Sequence, residues 1–551
     1  MNKNIISIIT LLTLLFCGVN SVFSQEWEVE YHYLKNNDFA YEYDEAIELS
    51  NGNVLVTSMY CLQNKNGDYV STQPALSLIS SEGVELCRKE FIRPGLCEIT
   101  RPYLFEKNGN MYLLTSYGPD HDINSDNYFK NFNNPVSDAV LGLYKLDENL
   151  DITESYEQIL PVDTFEYRKS IEWQSLPNYY SGYVYIYSAI ETDGNIAGSY
   201  IKSVSYSNEV RGNDTIFFFK MDFEGNLIVK KGYEAPQSGG APFSYRRQHM
   251  VKSDNGYIVY YRGFEIDKHG TIEYYDNDFN RIDTRYVIMP GHDPYYDNNF
   301  KELSVFRSRH NTTYVATRSK SLKLNSDDNV RLYEFDDKLE NSTDVLPVLH
   351  YVERGSNDID RNPYRAIDVT SEGDIYFAYT LKFGSMTWGD SWVMIEKLNS
   401  DFDTISTLFY DDGQHIHTQV SHIATAKDDG LIAVFQSKKI DDMNNRWSKV
   451  SKFPASAFGI DNIEEAHAHG LHLAVAYPNP GGDVLNIRTG VRNAVLSVYD
   501  INGRKIHEQE IADDVTSVDA SGWKSGTYIW KLGMRNEELG MKEVESGKWV
   551  K

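Results

Sequence analysis

Short apolar runs recur along residues 40 to 455, each introduced by a tight polar turn. Asn51-Gly52-Asn53 precedes Val54-Leu55-Val56, Asn108-Gly109-Asn110 precedes Met111-Tyr112-Leu113-Leu114, and Ser181-Gly182 precedes Tyr183-Val184-Tyr185-Ile186. Asn255-Gly256, Asn311-Thr312, Glu372-Gly373-Asp374 and Asp429-Gly430 introduce Tyr257–Tyr260, Thr313–Ala316, Ile375–Phe377 and Leu431–Val434 in the same way. A second theme alternates with the first: a strand, an acidic turn, and another strand. It reads Leu146-Asp147-Glu148-Asn149-Leu150, Met221-Asp222-Phe223-Glu224-Gly225, Asp276-Asn277-Asp278-Phe279, Phe335-Asp336-Asp337-Lys338 and Leu398-Asn399-Ser400-Asp401-Phe402, with Ser80-Ser81-Glu82-Gly83 in the first copy.

Each unit therefore predicts four short strands. Repetition at intervals of roughly 40 to 75 residues is the signature of a β-propeller, whose blades bury both faces against their neighbours. Burial on both faces explains apolar runs that do not alternate. The expected fold is all-β: a seven-bladed β-propeller followed by a small Ig-like β-sandwich. The seventh copy lacks its acidic turn and fourth strand, because Pro454 and small residues follow Trp447–Phe453. Trp27, Val29, Tyr31 and Tyr33 alternate with polar residues like an edge strand, so residues 26–34 are expected to complete that blade and close the ring.

Composition agrees with strands. Aromatics make up 13% of the 551 residues, and 40 of them are Tyr. The net charge of −27 disfavours a phosphate backbone, so no nucleic-acid partner is expected. Lys3, a largely apolar run from Ile5 to Phe16, and small Ser21 and Ser24 before Gln25 have the layout of a secretory signal peptide cut after Ser24. Cys17 offers a lipoprotein reading, which the bulky Phe16 before it disfavours. No segment of the mature chain reaches the roughly 20 apolar residues of a membrane-spanning helix. Removal of the leader leaves Cys61, Cys87 and Cys97, either with Cys87 and Cys97 bridged or as three buried thiols.

The acidic turns place Asp147, Asn149 and Asp151 at alternate positions, as a calcium loop would. The loop's glycine and final glutamate are missing, and Asp and Asn at such positions bond their own backbone in tight turns. Neither metal nor cofactor is expected. Ala466-His467-Ala468-His469-Gly470-Leu471-His472 reads as a linker for the same reason, lacking fixed carboxylates.

A propeller places its first-to-second and third-to-fourth turns on one face and all other connections on the opposite face. The first kind are short here and the second kind long, which nominates the long-loop face for binding. Several connections entering a first strand carry an aromatic beside a basic residue: Arg101 near Tyr103, Tyr167-Arg168, Tyr245-Arg246, Tyr364-Arg365, and His415-Ile416-His417. The candidate ligand-binding set is Arg101, Tyr167, Arg168, Tyr245, Arg246, Tyr364, Arg365 and His417. Either these residues bind a carboxylate, sugar or peptide ligand, or they tie adjacent blades together. Glu98, Asp163, Glu166, Asp293 and Asp360 could pair for glycoside chemistry. No nucleophile elbow, zinc pair or phosphate loop accompanies them, so no catalytic residue is assigned. A glycan, peptide or protein ligand is the leading expectation, and a propeller-type hydrolase or lyase acting on extracellular polysaccharide is the alternative.

The last 75 or so residues are of another kind. Tyr477-Pro478-Asn479-Pro480, the alternating Val484-Leu485-Asn486-Ile487, Val495–Ile506 with Asn502-Gly503 at its turn, Ser525-Gly526-Thr527-Tyr528, and the ending Gly547-Lys548-Trp549-Val550-Lys551 follow in order. This resembles the C-terminal sorting domain of the bacterial type IX secretion system, with Tyr477, Pro478, Asn479, Pro480, Gly503, Gly526, Tyr528 and Lys548 on the sorting motifs. The resemblance implies the type IX machinery as partner, passage through the periplasm, and a secreted or cell-surface destination. The resulting division is a leader at 1–24, a propeller at 25–461, a linker at 462–474 and a sorting domain at 475–551.

Overall fold

The computed structural model describes residues 27–32, 43–63, 69–93, 96–98, 102–119, 139–160, 181–205, 215–234, 248–262, 270–287, 302–307, 313–319, 328–340, 344–356, 359–361, 366–382, 391–410, 412, 416–442, 445–458, 471–491, 494–513, 515–536 and 540–551. The expected leader lies outside them. No helix among the described residues is long and apolar enough to cross a membrane.

Residues 28 to 453 form seven antiparallel four-stranded blades of a β-propeller, numbered here in chain order. Blade 1 comprises Tyr43–Glu48, Val54–Gln63, Tyr69–Ile79 and Glu85–Glu90, and blade 2 comprises Tyr103–Lys107, Asn110–Pro119, Ala139–Leu146 and Ile152–Leu160. Blade 3 is Ser181–Thr192, Asn195–Ser205, Thr215–Met221 and Leu227–Glu234; blade 4 is Gln248–Ser253, Gly256–Arg262, Gly270–Asp276 and Arg281–Val287. Blade 5 is Glu302–Arg307, Thr313–Ser319, Asp328–Phe335 and Val348–Ser356; blade 6 is Ile367–Val369, Ile375–Lys382, Ser391–Leu398 and Thr404–Tyr410. Blade 7 takes Ile416–Thr425, Leu431–Lys439 and Arg446–Phe453 from its own stretch and Glu28–His32 from the start of the chain. The inner strands of neighbouring blades touch around a circle, and the first strand of blade 7 meets the first strand of blade 1.

Packing explains the uniform apolar runs. Val54 and Val56 join Ile432 and Val434 of blade 7, whereas Leu55 between them joins Met111 and Leu113 of blade 2. Successive residues thus face different neighbours, and both faces of the strand are buried.

The acidic turns share one mechanism. Asp147 Oδ1 accepts from the backbone N–H groups of Asn149 (2.9 Å) and Asp151 (2.8 Å). Asp222, Asp276, Asn399 and, in the C-terminal domain, Asp500 repeat that pair of bonds to the residues two and four places on. The side chain closes the turn on itself. The fourth position is left-handed, at φ 59° for Leu150, 58° for Phe279 and 66° for Phe402. Such a backbone costs a bulky residue about 1–2 kcal/mol, which burial of these three side chains between blades offsets.

Four of the third-to-fourth-strand turns, those of blades 1, 2, 4 and 5, are held by a hydrogen bond from the outer edge of the preceding blade. Trp27 Nε1 donates to Ser81 O (3.0 Å), Cys87 Sγ to Glu148 O (3.6 Å) and Tyr233 OH to Phe279 O (2.5 Å). Arg285 donates to Lys338 O (3.1 Å) and Leu339 O (2.8 Å). Trp27 makes this grip across the closure between blades 7 and 1. Beneath it lies Gly83, at φ +81°, where an added Cβ would stand 2.1 Å from Trp27 Cβ. Gly83→Ala is therefore expected to cost about 1–3 kcal/mol, read as a lower denaturation midpoint with an unchanged slope.

Three expectations need correction or refinement. Ser181-Gly182 is not the turn of blade 3, because both residues lie within the strand Ser181–Thr192. The turn is Asp193-Gly194, at φ 51° and 76°, the left-handed pair a two-residue hairpin requires. Cys87 is a free thiol rather than half of a bridge to Cys97, its sulfur turned to the blade 2 turn. In blade 7 the missing acidic turn is replaced by Pro454 and a 3-10 turn, Ala455–Phe458, whose Phe458 packs on Tyr376 at 4.8 Å.

Candidate functional site

The C-terminal domain is a sandwich of a three-stranded sheet, Ala474–Tyr477, Val484–Thr489 and Val515–Asp519, on a four-stranded one. The latter runs Lys505–Glu510, Ala494–Asp500, Thr527–Asn536 and Gly540–Val550 in spatial order. Alternation supplies its core: Leu485, Ile487, Leu496, Val498, Trp530, Leu532 and Trp549 meet between the sheets.

The motifs that are separate in sequence form one hydrogen-bonded lock. Trp549 is fully buried, and its Nε1 donates to Pro478 O at 2.6 Å. Asn479 binds the final strand from both ends of its amide, donating through Nδ2 to Lys548 O (2.9 Å) and accepting at Oδ1 from Val550 N–H (3.0 Å). Gly481 N–H donates to Val550 O (2.7 Å), and a Cβ there would lie 2.4 Å from the Trp549 ring. Gly526 exchanges two backbone bonds with Lys551, at 3.1 and 2.9 Å. The Lys551 ammonium caps Ala520 O (2.6 Å), Trp523 O (3.0 Å) and Ser521 O (3.1 Å). Both prolines of Tyr477–Pro480 follow cis peptide bonds. Tyr477 is buried, Tyr528 donates to Lys524 O, Gly503 takes the left-handed turn at φ 79°, and Lys548 points outward. Lys548 is thus the charged member of the motif set, and its side chain is exposed, as are Pro478, Pro480, Gly503 and Gly526.

A second cluster lies where blades 6 and 7 and the N-terminal strand meet. The Lys449 ammonium reaches Glu28 (2.6 Å), Asp412 (2.7 Å) and Glu30 (3.1 Å). The Asp412 side chain is 1% exposed and also accepts from Ser437 Oγ and from Trp447 Nε1 (3.1 Å). Tyr410 OH donates to Glu28 (2.6 Å) and to Asp412 (2.9 Å) while its ring stacks on Phe435 at 4.1 Å. Burial, reinforced by Asp412 and Glu28, pushes the Tyr410 phenol far above its ordinary range. Burial alone would lower Lys449, but Asp412 and Glu28 outweigh it and hold the ammonium above the usual lysine range. Glu28, Tyr410, Asp412 and Lys449 are bonded to one another across the closure, an arrangement that serves as a latch. Sequence reasoning missed it because Glu28 and Lys449 stand 421 residues apart.

Of the residues nominated for ligand binding, His417 is described. It lies buried on the first strand of blade 7, beside Ser391 of blade 6. Arg101, Tyr167, Arg168, Tyr245, Arg246, Tyr364 and Arg365 lie outside the described residues, as do Asp163, Glu166 and Asp293. Glu98 falls on the strand Leu96–Glu98, paired opposite Tyr117, and Asp360 on the strand Ile359–Arg361.

Residues 475–544 match the family model described as the secretion system C-terminal sorting domain. No curated protein matches the chain. Among solved structures it is similar to PorZ, a bacterial surface component of the type IX secretion system of Porphyromonas gingivalis, at 11% identity over 93% of this chain and 81% of that one, with a TM-score of 0.22. It is also similar to the polysaccharide lyase Uly1 (10% identity, 79% and 94% covered, TM-score 0.40) and to a Penicillium chrysogenum α-L-arabinanase (12%, 77% and 97%, TM-score 0.34). At these identities and TM-scores the likenesses bear on neither ligand nor activity.

Proposed function

We propose that the propeller, which the C-terminal sorting domain addresses to the cell surface or to secretion, binds an extracellular glycan, peptide or protein on its long-loop face. The observation that carries this reading is an asymmetry between the two faces. On the short-turn face the turns are engaged with each other. Ser50 N–H donates to Glu106 (2.7 Å), Lys107 pairs with Glu191 (3.0 Å), Lys252 with Asp193 (3.4 Å), Ser371 N–H with Asp429 (2.7 Å), and Lys427 N–H with Glu48 (2.6 Å). These ties link blade 1 to 2, 2 to 3, 3 to 4, 6 to 7 and 7 back to 1, so five of the seven blade junctions are tied on that face.

The longer intervals in the strand order, among them 120–138, 161–180, 235–247 and 288–301, fall between second and third strands or between blades, the connections that a propeller directs to the opposite face. In the sequence, Arg168, Arg246 and Arg365 each stand beside a tyrosine in an otherwise acidic protein, and guanidinium groups and tyrosine rings are bidentate donors and stacking surfaces by their chemistry. A ligand with carboxylates or sugar rings fits that chemistry. The test is to screen the purified chain on glycan and peptide arrays and then replace the three arginines together with alanine. Specific binding that disappears in the triple variant is the expected result. Binding unaffected by the triple variant would place the ligand elsewhere, and product released from a polysaccharide would instead identify a hydrolase or lyase.

A further inference from the structure

The sorting domain is docked on the propeller through a built interface. Leu471-His472 pairs antiparallel with the last strand of blade 6, His472 opposite Phe409 and Leu471 opposite Tyr410, and so adds a fifth strand to that blade. Val475 and Tyr477 then enter the same buried cluster as Phe409, Phe402 and Tyr314 of the propeller, with Val515 packed against it. Gly490 approaches so closely that a Cβ on it would stand 2.6 Å from Thr407 Cβ. His472 meets the Trp392 ring edge-on at 5.7 Å, and Leu473 N–H donates to Glu545 (2.9 Å), which fixes the added strand to the domain's own last strand. An outer propeller strand is an open edge with unpaired backbone groups, and here it is covered by strand addition and by an apolar seam.

From this we propose that the covalent link is not what holds the two parts together, and that the sorting domain remains seated on blade 6 when that link is severed. The link contributes effective concentration, whereas the paired strand and the Phe409–Val475–Tyr477 seam survive its loss. A consequence for function is that the face carrying Val475, Gly490 and Val515 is hidden from any partner while the domain is docked. What stays open to a partner is the rest of the domain's surface, the four-stranded sheet with the exposed Lys548 included. This inference is independent of what the propeller binds.

The experiment inserts a site-specific protease sequence between residues 462 and 470 of the full chain, cuts it, and runs gel filtration at about 10 μM. Co-elution of the two pieces is the expected result. Separate elution, with the small piece still folded by circular dichroism, overturns the proposal. Thr407→Arg on the propeller side and Gly490→Phe on the domain side are each expected to weaken association of the cut pieces at least about tenfold. A folded Thr407→Arg chain whose cut pieces associate as tightly as the parent's would likewise overturn it. The two variants sit on opposite sides of the seam, so a folding failure in one leaves the other as the test.

Discussion

Deleting residues 27–32 should lower the melting temperature of the chain by about 10 °C or more. Five residues of Glu28–His32 pair with Trp447–Ser451, and Lys452 N–H donates to Trp27 O at 3.0 Å. Trp27 is 8% exposed and fills the junction of blades 7 and 1 with Val54, Val56 and Val450. Loss of a buried tryptophan costs about 3–5 kcal/mol. The deletion also strips Glu28 and Glu30 from Lys449, although Asp412 remains as a partner at 2.7 Å, so only part of the ~3–5 kcal/mol of a broken buried pair is added. Tyr410 OH loses Glu28 as well, and the strand Arg446–Phe453 becomes an open edge. Together these exceed about 5 kcal/mol, and a large domain shifts by about 2–4 °C per kcal/mol. Scanning calorimetry of the deleted chain decides the matter. An unchanged melting temperature would mean that the ring does not depend on its N-terminal strand. Glu28→Gln, which keeps the backbone and Trp27, should cost much less.

That closure was legible in the sequence because it rests on two local signals, the alternation from Trp27 to Tyr33 and the missing turn after Phe453. The blades were legible for the same reason: Asn-Gly turns and self-bonded Asp turns are decided within five residues. Where the local signal is ambiguous, the sequence does not place the turn. Ser181-Gly182 and Asp193-Gly194 both look like turns, and only the left-handed backbone at Asp193 and Gly194 separates them. Non-local contacts were not legible at all. The latch joins Glu28, Tyr410, Asp412 and Lys449, and the grip of Cys87 on Glu148 spans 61 residues. Nothing in the spacing of the cysteines reveals that the Cys87 sulfur serves a backbone carbonyl in place of a bridge. His417 was nominated by the pattern of an aromatic or histidine beside a basic group, a pattern that does not distinguish a loop tip from the start of a buried strand.

Removal of residues 540–551 is the change with the largest expected consequence for delivery, with the protein accumulating in the periplasm and surface material almost completely lost. In sequence, Tyr477-Pro478-Asn479-Pro480 and the final Lys548-Trp549-Val550-Lys551 are independent motifs; in the structure they are bonded to each other. The deletion removes a strand paired along Thr527–Asn536, the fully buried Trp549 and Val544, and every partner of Asn479 in the lock. A core of this size supplies about 3–5 kcal/mol of stability, and loss of Trp549 alone costs about as much. The truncated domain should therefore be unfolded and unable to present anything to the type IX machinery. Trp549→Ala should reproduce most of the loss by the same route. Lys548→Ala separates folding from recognition, because Lys548 is exposed and only its backbone serves the lock. It should leave the melting curve unchanged while reducing export if its charge is what the machinery reads. Cell fractionation with periplasmic and surface markers measures all three variants. Normal surface delivery of the 540–551 deletion would show that sorting does not require the folded sandwich.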